Sequence, residues 1–90
     1  MNISKHCVIS GDVQGVFYRQ GTLAKARSLG LNGWVRNLAN GDVECLVSGE
    51  KDKVIELCQW LKIGPPRARV LSVVVKDIPF ENHQNFVIRD

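Results

Sequence analysis

Two short stretches hold the residues best suited to chemistry. The first is Gly11-Asp12-Val13-Gln14-Gly15-Val16-Phe17-Tyr18-Arg19, a glycine-punctuated run between an apolar strand segment and a helical one. A strand-loop-helix turn of this kind lets successive backbone N–H groups converge near the positive end of a helix dipole, which suits a phosphate group. Arg19 stands beside that turn. Its planar guanidinium can give two parallel hydrogen bonds to phosphate oxygens, where a lysine offers only a point charge. The run contains neither the Gly-Lys-Ser/Thr of a Walker A loop nor a Gly-x-Gly-x-x-Gly dinucleotide fingerprint. The second stretch is Gly33-Trp34-Val35-Arg36-Asn37. On spacing alone each stretch also has a plain reading: Arg19 as a solvated residue of a first helical turn, Asn37 as a turn-entry residue bonding nearby backbone. Trp34 reads as packing and Arg36 as a strand residue facing solvent.

Other reactive side chains form no constellation. His6 and His83 are the only histidines, and neither is spaced with Asp, Glu or Cys as a metal ligand or a nucleophilic relay. Cys7, Cys45 and Cys58 are an odd set without a CxxC pair, which gives no zinc pattern and no disulfide framework. Buried thiols are the expectation, with one disulfide between neighbouring strands left open. No Cys shares a tight loop with an Arg, as a phosphocysteine intermediate requires.

The elements that would position the two stretches follow from periodicity. An apolar strand is expected over His6 to Ser10, running into the glycine loop. Leu23, Ala26 and Leu29 recur at helical spacing and Gly30 is a stop signal, which predicts a helix from about Tyr18 to Leu29. Lys25 and Arg27 suit its negative end. Two strands, Leu31 to Asn37 and Val43 to Val47, are joined by Leu38-Ala39-Asn40-Gly41, where Asn-Gly is expected to supply the positive φ angles of a hairpin turn. Val54, Leu57, Cys58 and Leu61 predict a second helix over about Lys51 to Lys62, stopped by Gly64-Pro65-Pro66. A β-branched strand from about Arg69 to Lys76, a break at Pro79 and a short Phe86-Val87-Ile88 strand complete the chain.

The order is βαββαβ with a short extra C-terminal strand. It predicts an α+β fold of the ferredoxin-like kind, an antiparallel sheet with both helices on one face. Because that fold hosts enzymes, metal chaperones, ligand binders and RNA-binding domains, it decides nothing about function by itself.

Bulk properties narrow the choice. Ninety residues, 44% hydrophobic and 23% charged, suit one globular domain over residues 1–90 rather than a disordered or fibrous chain. The net charge of +3 is spread over scattered Lys and Arg residues with no basic stripe, so no nucleic-acid partner is expected. No apolar stretch approaches the length of a membrane span and no secretory leader is visible, so the expectation is a cytoplasmic protein without a membrane partner.

Taken together, the two stretches make the chain resemble the acylphosphatase family. The first matches that family's Gly-x-Val-Gln-Gly-Val-x-x-Arg signature. Gly33-Trp34-Val35-Arg36-Asn37 followed by Gly41-Asp42-Val43-Glu44 is similar to its second, and Gly64-Pro65-Pro66-Arg67-Ala68-Arg69-Val70 and the Phe-Val-Ile ending are similar as well. Asn40 stands where an Asp is common in the family, a departure confined to the turn. The resemblance implies the ferredoxin-like fold and hydrolysis of acyl phosphates. It further implies that the backbone amides of Gln14, Gly15, Val16, Phe17, Tyr18 and Arg19 bind the phosphate, that Arg19 clamps it, and that Asn37 orients the attacking water.

So few groups suffice for such a substrate. An acyl phosphate expels a carboxylate whose conjugate acid has a pKa of about 4, so no general acid is needed. Phosphoryl transfer mainly demands positioning and stabilisation of charge on the equatorial oxygens. No cofactor and no metal are expected, and inorganic phosphate is expected as both product and competitive inhibitor. A monomer is the simplest assembly. A domain that only binds a phosphorylated metabolite would need the cradle but not Asn37, and single-stranded RNA binding would need an aromatic-rich motif that is missing.

Overall fold

A computed structural model describes residues 1–90. Its elements are β1 (Asn2–Asp12), α1 (Tyr18–Ser28), β2 (Asn32–Asn37), β3 (Val43–Glu50), α2 (Lys51–Leu61), β4 (Arg69–Ile78) and β5 (Phe86–Ile88). One sheet in the order β4-β1-β3-β2-β5 carries both helices on a single face, α1 over β2 and β5 and α2 over β1 and β3. The expected α+β sandwich is the observed one. No helix is long and apolar enough to cross a membrane.

Alternation along the strands explains the layering. Cys7 and Ile9 of β1, Val35 of β2 and Val43, Cys45 and Val47 of β3 point to the helices and are fully buried. They meet Tyr18 and Ala26 of α1 and Val54, Leu57, Cys58 and Leu61 of α2 in one apolar core. Helix α1 ends in a Schellman motif, with Gly30 at φ 69° and Leu31 N–H donating to Ala26 C=O at 2.9 Å. All three cysteines are free thiols. The close pair joins strand to helix rather than two strands: Cys7 Sγ lies 3.9 Å from Cys58 Sγ. That contact, together with burial, pushes the Cys7 thiol up from its ordinary pKa.

The sequence expectation needs correction at two places. The sheet is mixed rather than antiparallel, because β5 pairs parallel to β2. Strand β4 finishes opposite Ser4, at the end of the sheet where β2 begins. The connection through residues 79–85 crosses the helix-free face at that end, and β5 then runs back along the far edge in the direction of β2. Glu81 N–H donates to Ser4 Oγ at 2.8 Å along this path, and Ser4 Oγ meets Ser48 Oγ at 2.6 Å beneath it. Leu46, on the same helix-free face, is also buried. In the hairpin only Gly41 takes a positive φ, at 97°; Asn40 does not. Gly41 N–H donates to Leu38 C=O and Leu38 N–H to Asp42 C=O, a three-residue loop closed by a left-handed glycine rather than a two-residue turn.

The helix-free face carries a charged cluster. Glu44 accepts from Arg36 Nε at 2.5 Å and bonds His6 Nε2 at 2.7 Å, while Arg36 and Arg89 lie over the Trp34 ring at 5.4 and 4.8 Å. Burial alone would raise the Glu44 pKa, but the hydrogen bonds from His6 and Arg36 and the charges of both partners together outweigh it and hold the carboxyl below its ordinary value. Since the folded-state value is the lower one, Glu44 stabilises the fold above the usual glutamate pKa of about 4.3, and that contribution is lost as pH falls through the folded value. Thermal melts of Glu44→Gln from pH 7 to 3 should therefore show a flatter acid limb than the unaltered protein. Parallel limbs would show that the cluster contributes nothing.

Candidate active site

The loop between β1 and α1 owes its shape to three backbone features. Strand β1 bulges between Ser10 and Gly11, where β4 approaches so closely that a Cβ on Gly11 would lie 2.2 Å from Arg69 C=O. Gly15 turns the chain at φ 73°. Phe17 then takes φ 65° and ψ 23°, the only non-glycine residue with a positive φ, and opens helix α1 without a side-chain cap. A left-handed conformation costs a non-glycine residue about 1–2 kcal/mol.

The outcome is a run of uncommitted donors. The first N–H groups of any helix lack intrahelical partners, and a capping side chain normally satisfies one of them. Here no cap does so, and the first turn of α1 holds no acidic residue. Of the backbone hydrogen bonds made outside helices and strands, none is donated by Gln14, Gly15, Val16, Phe17, Tyr18 or Arg19. Tyr18 fixes the start of the helix from below: its side chain is buried and its hydroxyl donates to Leu61 C=O at 2.6 Å. Burial pushes that phenol far above its ordinary pKa, so it stays a neutral donor.

An open cavity of about 150 Å³ lies against this loop. Gly15, Phe17, Tyr18 and Arg19 line it, and Asn37 joins them from the end of β2. No acidic residue lines it, and none of the chain's ion pairs involves Arg19. The Oδ1 atom of Asn37 is buried without a hydrogen-bond partner. Leaving a buried acceptor unpaired costs about 1–3 kcal/mol, so the turn-forming role in which Asn37 satisfies itself on local backbone does not describe that oxygen. An arrangement of convergent amides, a free guanidinium and an unpaired carbonyl oxygen can hold a tetrahedral anion and orient a water beside it.

Two of the residues expected to offer amides to the cradle use their side chains elsewhere. Val16 packs its side chain against the core. Gln14 turns its side chain away from the cavity, and Nε2 donates to Leu38 C=O and to Asp42 C=O, both at 2.8 Å. The phosphate-type loop is thus fastened to the hairpin loop that follows Asn37. Nothing in the spacing of the sequence announces this fork, nor the presence of Val13 and Gln20 in the cavity wall. Gln14→Ala should destabilise the fold by about 1–3 kcal/mol for two lost hydrogen bonds, read from a urea midpoint. Gln14→Glu should cost more, because a carboxylate would face two carbonyl oxygens; equal midpoints for both variants and the unaltered protein would remove the fork from the account.

The acylphosphatase family model matches residues 5–88. The chain belongs to the acylphosphatase family. An acylphosphatase from Pseudomonas paraeruginosa is 47% identical over 87 residues, which are 97% of this chain and 96% of that one. The solved structure of an acylphosphatase from Coxiella burnetii superposes with a TM-score of 0.94 at 43% identity, covering 98% of this chain and 93% of the other. That of the acylphosphatase from Bacillus subtilis gives a TM-score of 0.94 at 30% identity with both chains fully covered.

Proposed function

We propose that this acylphosphatase cleaves the carboxyl–phosphate bond of acyl phosphates by direct attack of water, with Arg19 and Asn37 as its catalytic residues. The observation supporting this division is that a free guanidinium, a run of uncommitted amides and the unpaired Asn37 oxygen meet around one cavity. The amides of Gln14 to Arg19 hold the phosphoryl oxygens, and the Arg19 guanidinium spans two of them. Asn37 Oδ1 accepts a hydrogen bond from the nucleophilic water and fixes its approach to phosphorus. As the new P–O bond forms, the bond to the acyl oxygen breaks and the carboxylate departs with its electron pair. The water's proton passes to a phosphate oxygen, there being no carboxylate or histidine in the cavity wall to take it.

The enzyme works without a metal or other cofactor, with residues 1–90 folding as a single domain, and as a monomer in the cytoplasm. Inorganic phosphate competes with substrate for the same amides. The deciding experiment compares phosphate release from an acyl phosphate and from a simple alkyl phosphate, with and without EDTA. An alkoxide leaves badly without a general acid, so the acyl phosphate should be turned over at least 10³-fold faster on the order-of-magnitude scale of acid catalysis, and EDTA should change nothing. Comparable rates, or activity lost to EDTA and restored by a divalent ion, would overturn the mechanism.

A further inference from the structure

We infer that the Phe17 ring is the specificity-determining surface for the acyl group, and that it selects acyl phosphates with an aromatic or extended apolar acyl part. The inference deepens the acyl-phosphate reading and rests on it.

Phe17 is a poor residue for its position on two independent grounds. Its backbone sits in the left-handed region at φ 65°, where glycine, asparagine or aspartate would be at ease. Its side chain is 61% exposed and is no part of the apolar core, although phenylalanine is among the residues most often buried. Neither packing nor local conformation accounts for a phenyl group here. What the position does provide is a place in the cavity wall.

The rest of that wall offers no other apolar surface. Of its other apolar residues, Val13 and Tyr18 are each only 1% exposed, and the Tyr18 hydroxyl is already committed to Leu61. Phe17 is therefore the one apolar lining residue with surface left to offer. Arg19 and the amides are occupied by the phosphoryl group, so the acyl part meets Phe17 as it leaves the cavity mouth. A flat ring there gives stacking and apolar contact to an aromatic acyl group and little to a two-carbon one. No second cationic side chain lines the cavity, so a further anionic group on the acyl part finds no partner there.

The test uses the full chain and two probes, benzoyl phosphate and acetyl phosphate, with kcat and KM measured for each. The comparison is made among the unaltered protein, Phe17→Asn, Phe17→Gly and Phe17→Tyr. Asparagine and glycine keep the left-handed backbone accessible while removing the ring. Tyrosine keeps the ring. The readout is the ratio of kcat/KM for benzoyl over acetyl phosphate, in which changes in phosphoryl binding and in the intrinsic reactivity of the two anhydrides cancel between variants. The ratio should fall roughly threefold to tenfold in Phe17→Asn and Phe17→Gly, through KM for benzoyl phosphate, and be retained in Phe17→Tyr. A ratio that is the same in all four proteins overturns the inference while leaving the acyl-phosphate reading intact. If the unaltered protein releases phosphate from neither probe, that reading falls and takes the inference with it.

Discussion

Asn37→Ala should cut kcat by on the order of 10²-fold or more while leaving the inhibition constant of inorganic phosphate close to that of the unaltered protein. The asymmetry comes from what the side chain touches. Asn37 reaches the cavity from the end of β2, and in the proposed mechanism its unpaired Oδ1, an acceptor that cannot bond a phosphate oxygen, takes a hydrogen bond from the attacking water. A preorganised group that acts on the nucleophile is felt in the chemical step alone. Stability supports the same assignment from another side: removing an unpaired buried acceptor relieves a desolvation cost, so Asn37→Ala should melt no lower than the unaltered protein. A variant that retained most of its turnover, or lost phosphate affinity, would return Asn37 to the role of a residue that merely enters a turn.

Arg19→Gln should do what Asn37→Ala does not and weaken both binding and catalysis. In the proposed mechanism the guanidinium meets phosphate in the ground state and greater charge in the transition state, so kcat/KM should fall on the order of 10³-fold. Phosphate inhibition should weaken about tenfold to a hundredfold, the worth of charge-assisted hydrogen bonds. Arg19→Lys should rescue little, because a single ammonium cannot span two oxygens. The side chain is only half-buried and makes no ion pair, so circular dichroism should find every Arg19 variant folded. If Arg19→Lys worked as well as the unaltered protein, charge alone would be enough and the two-pronged grip would be wrong.

The sequence carried those parts of the structure that depend on repeated side-chain pattern. Val54, Leu57, Cys58 and Leu61 mark α2 because its buried stripe recurs at the helical period, and all four are in the core. Strands β1, β3 and β4 run further than their apolar runs suggest. Asn2 faces Glu50 and Ser4 faces Ser48 in the ladder, and ladder hydrogen bonds ask nothing of the side chain. The parallel β5 was hidden because direction depends on where the preceding strand stops, not on the residues Phe86 to Ile88. At the site, the glycines and Arg19 were legible, but the left-handed Phe17 was not, since no propensity favours that angle for phenylalanine. The Gln14 fork escaped for another reason: its acceptors are carbonyls of residues 38 and 42, and a carbonyl has no letter in a sequence.

The hairpin is constrained in length by the Gln14 fork. Gln14 grips main-chain oxygens, so the identities of Leu38, Ala39, Asn40 and Asp42 are invisible to it, while the number of residues between those two oxygens is not. The loop is therefore open to substitution and closed to insertion or deletion. A different loop of equal length with glycine at position 41 would present the same two carbonyls to Gln14, and Asn37 would enter the cavity as before. One residue more or fewer would shift the register of the grip. Drift among related chains should accordingly collect as exchanges of letter at these positions and not as changes of length.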